Sequence, residues 1–313
     1  MSRILRRAAA IVRDRVDVAS VRWETVTVGA RTIMVELDPG AGPRPMRGLA
    51  HSPTAPTAFE DPIGSTSVDG VLARLEESTS TGPDATFESA RRALAVATLN
   101  ALAAPTIDWG RGDPMAGLGD WIETIATVGL FGPAFRKFDG VTVHVVERQP
   151  VESPPTPSGG ATVVHPPAGA AAAFAVADVV FLTGSVFVYG GIDEYLERIP
   201  SSTPTVLVGE TAPLPPGAAF EADIDAVAGA LVTDPAAARA AVDRGACGTD
   251  LHDSGVRKVL AVRPGWTVPT RSDGSDAGDS ARSGIASSTE TGAGPGSRET
   301  ARSSVTFTQN FEP

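Results

Sequence analysis

The sequence predicts an α/β protein: a Rossmann-like, mostly parallel sheet domain, preceded by a smaller α+β domain and followed by a disordered tail. Three observations carry this. From about Ile125 to Val262, apolar runs alternate with helical stretches; strands alternating with helices call for a parallel sheet, because each crossover passes over one face and buries it. Ahead of that region the pattern is a helix, two strands and further helices, without alternation. Beyond Trp266 the composition collapses to Ser, Gly, Thr, Asp and Arg, which cannot bury enough apolar surface to offset chain entropy. The expected boundaries are 1–110, 111–266 and 267–313.

Taken in order, Ile4, Ala8, Ile11 and Val12 recur at helical spacing and predict an amphipathic opening helix over residues 3 to 15. "VRWETVTVGARTIMVEL" reads as a hairpin of two strands, Val21 to Val28 and Thr32 to Leu37, turning at Gly29-Ala30. From Asp38 to Ser67 the density of Pro, Gly, Ser and Thr predicts a long loop, with "RGLAHSP" at 47 to 53 as its apolar island. "DATFESARRALAVATLNALAA", 84 to 104, is the strongest helix: Asp84 caps it, Glu88 lies in its first turn and Pro105 stops it. Its apolar faces are broad enough to be buried between layers, so Asn100 within it requires a hydrogen-bond partner. After a loop at 108 to 121 come "IATVGLFGP", "VTVHVVE", "ADVVFLTGS", "GIDEYLERI", "TVLVGE", "DAVAGALVT", "DPAAARAAVDRG" and "VRKVLAV", the alternating set. The closing "VTFTQNF" alternates apolar and polar residues and reads as a frayed terminus.

Composition narrows the functions. The chain has 313 residues, is 42% hydrophobic and carries a net charge of −11. An acidic surface repels phosphates, so no nucleic-acid partner is expected. Of 26 basic residues only Lys137 and Lys258 are lysines, a halophile-like acidic composition. The single cysteine, Cys247, excludes an internal disulfide framework and any multi-cysteine metal site. No apolar run approaches the roughly 20 residues of a membrane helix, and charges interrupt the apolar start "MSRILRRAAAIVRDRV". The expectation is a cytoplasmic protein without a membrane partner.

Parallel sheets place ligands beyond the carboxyl ends of their strands. "VVFLTGSVFVYGGIDEYL", 179 to 196, runs from a buried strand through Thr183, Gly184 and Ser185 into a helix. Gly184, Gly190 and Gly191 do not form a dinucleotide fingerprint, and no lysine completes a Walker loop. Asp193 and Glu194 in the next helix's first turn would repel an anion, so this turn fits a cation, a neutral polar group or simple capping. "TVGLFGP", 127 to 133, offers Gly129 and Gly132 either for close approach to a ligand or for a tight turn. Glu147 in "HVVERQP" ends the second strand, where an acid can bind a ribose hydroxyl, contact a metal or form a salt bridge. Among the histidines, His51 lies in the apolar island of the long loop, which must fold over something. His144 alternates with Val143 and Val145 as a structural histidine would. Cys247 and His252, five apart, are half of a metal site with no second half nearby and read as surface loop. The absence of G-x-S-x-G, H-E-x-x-H and kinase signatures argues against the common hydrolase classes.

"VGLFGP", "VERQP", "ADVVFLTGSVFVYGGIDEYL", "TVLVGETAPLPPGAAFEADIDAVAGALVTDP" and "GVRKVLAV" together resemble the carboxyl domain of the heavy-metal chelation domain family. "VTVGARTIMVEL", "GLAHSP" and "ARRALAVATLNAL" are similar to that family's partner domain, which has an enolase amino-terminal-like fold. The resemblance spans Val18 to Val262. It implies a chelating or small-ligand-binding protein with its site in the cleft between the two domains. The matching positions are the "GLA" loop, Asn100, "FGP" at 131 to 133 including Gly132, Glu147, Thr183-Gly184-Ser185 and "GETAP" at 209 to 213. The family commonly has Asn-Gly-Thr at Tyr189-Gly190-Gly191 and Gly-Pro-Ser-Thr at Gly209-Glu210-Thr211-Ala212; both departures remove small polar side chains from strand ends.

The expected cleft is lined by His51, Asn100, Glu147, Thr183, Ser185 and Glu210. It would take a small molecule or a divalent metal ion, the latter held by His51 and Glu147, in a monomer or a homo-oligomer. Two alternatives stand beside this reading. One is a Rossmann-like enzyme using a nucleotide or other small cofactor, with Glu147 on a hydroxyl and Glu210 as acid or base. The other is a degenerate, non-catalytic scaffold that assembles with a partner.

Overall fold

A computed structural model of the chain describes residues 2–40, 46–53, 66–76, 85–116, 118–119 and 121–266. The expectations of a disordered tail at 267–313, a frayed "VTFTQNF" and an Asp84 cap lie outside these residues.

The opening helix forms as expected. In α1 (Arg3–Arg15) the Ser2 hydroxyl accepts the Ile4 N–H, and Ile4, Leu5, Ala8, Ala9 and Val12 face inward. The hairpin follows, β1 (Arg22–Val28) against β2 (Thr32–Asp38). Residues 46–51 differ from the expected loop: they form β3 (Met46–His51), paired with β2 from Leu37↔Met46 to Thr32↔His51. The signal was weak because a glycine interrupts a six-residue run, which lowers strand propensity. That glycine has a packing reason. A Cβ on Gly48 would stand 2.1 Å from the Ala97 carbonyl oxygen and 2.3 Å from the Ala101 nitrogen, so only glycine lets the strand and the helix above it touch.

A short α2 (Val68–Ala73) precedes that helix, α3 (Ala85–Ala103). Every residue of α3 from 93 to 103 is buried, as an all-round apolar helix must be. It lies on the three-stranded sheet and extends the core into the second half of the chain.

The second sheet comprises β4 (Thr124–Val128), β5 (Thr142–Val146), β6 (Ala161–His165), β7 (Val179–Thr183), β8 (Thr205–Val208), β9 (Ala226–Val232) and β10 (Val256–Val262). Their order is β10-β9-β8-β7-β4-β5-β6, parallel except for β10, which runs antiparallel to β9. This is the predicted mostly parallel sheet, with one strand that the apolar runs did not announce. Edge strand β6 is short and half exposed, so its "ATVVH" carries little apolar signal. The connections carry α4 (Ala170–Ala175), α5 (Val186–Tyr189), α6 (Ile192–Arg198), α7 (Pro216–Phe220), α8 (Pro235–Asp243) and α9 (Thr249–His252).

One core unites the two halves: Ile4, Leu5, Val35 and Leu99 pack in the same cluster as Val128, Val180, Leu182 and Leu207. The other face of the large sheet buries Ile125, Val143, Phe181 and Val206 with Phe135 and Phe138. Met34 and Leu49, on the small sheet, pack with Ala238, Ala241 and Val242 of α8. There the buried Glu36 pairs with Arg47 Nε at 3.2 Å and Arg239 Nη1 at 2.7 Å. Among the described residues no helix is long and apolar enough to cross a membrane.

Candidate functional site

The strand order reverses between β4 and β7, and such a reversal opens a crevice at the carboxyl ends of the strands. Strand β7 ends at Thr183 and β8 at Val208, and the chain beyond each is locked to the other. The Gly184 N–H donates to the Val208 carbonyl at 2.7 Å. A Cβ on Gly184 would meet the Ala212 nitrogen at 2.6 Å and the Thr211 carbonyl carbon at 2.8 Å. The face of Gly184 is therefore occupied by the 211–212 backbone.

Buried Thr211 is where the halves join. Its hydroxyl accepts the His51 N–H at 2.8 Å, which fixes the end of β3 against the end of β8. Asn100 supplies the second tie: its Nδ2 donates to the Leu49 carbonyl at 2.9 Å and to the Thr211 carbonyl at 3.1 Å. The polar residue anticipated within the apolar helix thus has both amide hydrogens engaged, while its Oδ1 is buried without a partner among the described residues.

From this joint the His51 ring reaches Tyr189, with Nε2 2.9 Å from Oη and the rings tilted at 5.5 Å between centroids. The Arg148 guanidinium carbon lies 3.6 Å from the centroid of the same tyrosine ring, a cation–π contact. Arg148 follows Glu147, whose Oε1 accepts the Arg148 N–H at 2.8 Å. Burial, followed by the charges of Arg148 and Arg31, lowers the His51 pKa, so the imidazole is neutral at neutral pH. Burial pushes the Glu210 carboxyl up, against a hydrogen bond from its own backbone.

The structure therefore brings His51, Asn100 and Gly184 together around Thr211, with Glu210 the residue before it. Thr183 and Ser185 flank Gly184 and face each other with hydroxyl oxygens 3.1 Å apart. Glu147 joins the group through Arg148. Gly132 opens the 3-10 helix Gly132–Lys137 instead, beside the Pro155 ring. The other histidines lie elsewhere: His144 Nδ1 is 2.9 Å from His165 Nε2 on the neighbouring strand. The Cys247 sulfur accepts from Arg31 Nη1 at 3.5 Å. Sequence reasoning passed over Arg148 and Arg31, and it placed Thr211 only as part of the "GETAP" turn, with no role. Arg148 was within reach, directly after an acid already placed at a strand end; Arg31 sits in a hairpin turn, where nothing local marks it.

A metal ion requires a converging donor set. Among the described residues no three His, Cys, Asp or Glu side chains come together as one, and the His51 Nε2 and a Glu147 oxygen already have the partners given above.

A family model described as "Putative heavy-metal chelation" (DUF364) matches residues 121–261. Among solved structures, a DUF364 protein of unknown function from Pyrococcus horikoshii superposes with a TM-score of 0.63 at 19% identity, covering 84% of this chain and 99% of that one. A DUF364 protein of unknown function from Desulfitobacterium hafniense gives 0.61 at 15% identity, covering 83% and 99%. No curated protein matches the chain. Residues 121–261 therefore match the DUF364 model, and the fold of the chain is that of the solved DUF364 structures.

Proposed function

We propose that the junction of β3 with the carboxyl ends of β7 and β8 binds a small anionic molecule of the metal-chelating class, as the free chelator or its metal complex. The observation that carries this is a neutral imidazole, His51, beside the guanidinium groups of Arg148 and Arg31. Two cations oppose a bare divalent ion and favour a carboxylate-bearing ligand, for which Arg offers a bidentate fork. His51 and the Tyr189 hydroxyl supply neutral hydrogen bonds, and the Thr183 and Ser185 hydroxyls at the end of β7 supply more. Glu147 positions Arg148 through its backbone. The metal would arrive as part of the cargo, which accords with the family description.

One observation favours a second reading, a scaffold closed by Tyr189: that side chain spans from Arg148 to His51 and fills the space between them. Calorimetry with citrate, nickel citrate and nickel ion alone separates the readings. Citrate or its complex is expected to bind the wild type, and Arg148→Met to weaken it by roughly 10- to 100-fold, the range for losing a hydrogen bond to a charged group. Nickel ion alone binding equally to wild type, Arg148→Met and His51→Ala would remove the anion reading. Binding that appears only in Tyr189→Asn would favour the closed scaffold.

A further inference from the structure

Arg92, on α3, has a side chain only 13% exposed. Its Nη1 donates to the Val188 carbonyl at 3.1 Å. Its ion-pair partner among the described residues, Glu88, stands 4.0 Å from Nη2, and its Nε is buried with no hydrogen-bond partner among them. A guanidinium withdrawn from water requires close compensation, and a carboxylate at 4.0 Å on the helix surface supplies little.

Beside it opens a cavity of about 250 Å³, lined by Arg92, Leu5, Gly190, Gly191, Asp193 and Glu194 among others. Asp193 is only partly engaged: the Arg3 N–H donates to its Oδ2 at 3.3 Å, while Oδ1, 3.5 Å from Arg3 Nε, is buried without a hydrogen-bond partner among the described residues. Glu194 is 74% exposed on its side chain and only 3.9 Å from Arg198 Nη2, so its negative charge remains available. The cavity thus pairs an under-compensated cation with an acid, Glu194, that nothing among the described residues holds closely.

We propose that this cavity binds a compact zwitterion of the amino-acid class, its carboxylate on Arg92 and its ammonium toward Glu194. The volume falls just below the roughly 300 to 1,000 Å³ of pockets for drug-sized ligands, which suits a small metabolite. Glu194 repels a second negative charge, so dianions are excluded by the same residue that attracts an amine. The site shares no residue with the His51, Tyr189 and Arg148 group and does not depend on that reading.

The test is calorimetry and thermal shift on the full chain with alanine, propionate and inorganic phosphate as probes. Alanine is expected to bind and to stabilise by mass action, propionate more weakly and phosphate least. Arg92→Met should abolish alanine binding and Arg92→Lys should weaken it about tenfold or more, because the fork is lost while the charge stays. Should Arg92→Met fail to fold, Glu194→Lys decides, since that side chain is exposed. It should weaken alanine and tighten propionate and phosphate several-fold. Absence of alanine binding in the wild type, phosphate binding as tightly as alanine, or a probe order unchanged by Glu194→Lys would each overturn the proposal.

Discussion

Glu36→Gln tests how the two sheets are clasped. The carboxylate is 1% exposed and is shared between Arg47, which follows it in the small sheet, and Arg239 on α8, at 3.2 and 2.7 Å. Glutamine keeps the volume, so no cavity forms, but it has one acceptor oxygen for two guanidinium groups and turns an NH2 toward one of them. Removing one member of a buried ion pair costs about 3 to 5 kcal/mol. Arg47 and Arg239 are 21% and 37% exposed and can recover water, which places the loss near the low end, about 3 kcal/mol. At about 2 to 4 °C per kcal/mol for a protein of 150 to 250 residues, the melting temperature should fall by roughly 6 to 12 °C. Arg239→Gln, at the exposed end, should cost about 1 kcal/mol. Calorimetric melts of the three proteins provide the measurement. A Glu36→Gln protein melting within 2 °C of wild type would show that the clasp is not a source of stability.

Gly48→Ala should destabilise by about 3 kcal/mol, the upper end for overpacking, because the new methyl meets helix backbone at 2.1 Å; an unchanged denaturant midpoint would mean that strand and helix can part. For Asp113, burial raises the carboxyl pKa, but hydrogen bonds from Lys137 and Lys258 outweigh it and the net shift is downward. Its stabilisation is therefore present above the unfolded value of about 3.9 and is lost as pH falls through the lower folded value. The stability gap between wild type and Asp113→Asn should be about 1 kcal/mol near pH 6 and shrink below pH 4 in urea titrations; a constant gap would refute the ion-pair account. Glu210 has the opposite sign: its raised carboxyl contributes fully below the unfolded value of about 4.3 and loses that contribution as pH rises. Glu210→Gln should melt a few degrees above wild type at pH 7 with no advantage at pH 4, and a lower melting temperature at pH 7 would contradict this.

Most of the parallel sheet was legible because its strands are buried on both faces and read as continuous apolar runs, as in "VVFLT" and "TVLV". Strands β3 and β6 were not: one carries a glycine demanded by a helix 49 residues away, the other lies at an edge where half its residues meet solvent. The same distinction applies to the site. Thr183, Ser185 and Glu147 could be placed because strand ends are predictable positions. Arg148 over Tyr189, and Thr211 beneath His51, join residues 41 and 160 positions apart, and no periodicity encodes such a meeting.

Tyr189 shows what a departure from the family resemblance does physically. Asparagine, the residue that the resemblance leads one to expect there, is several ångströms shorter and has no ring, so it could neither reach the His51 nitrogen nor seat a guanidinium on a π-face. The tyrosine does both, making one side chain the contact between the end of β3 and the turn after β5. A ligand entering this junction must therefore take over the His51 hydrogen bond, the Arg148 charge, or both. Of these, the charge is the costlier to leave uncompensated once water is excluded. On the proposed anion-binding reading, the energetics of binding should thus be decided at Arg148 rather than at the histidine, and Arg148→Met should cost more affinity than His51→Ala.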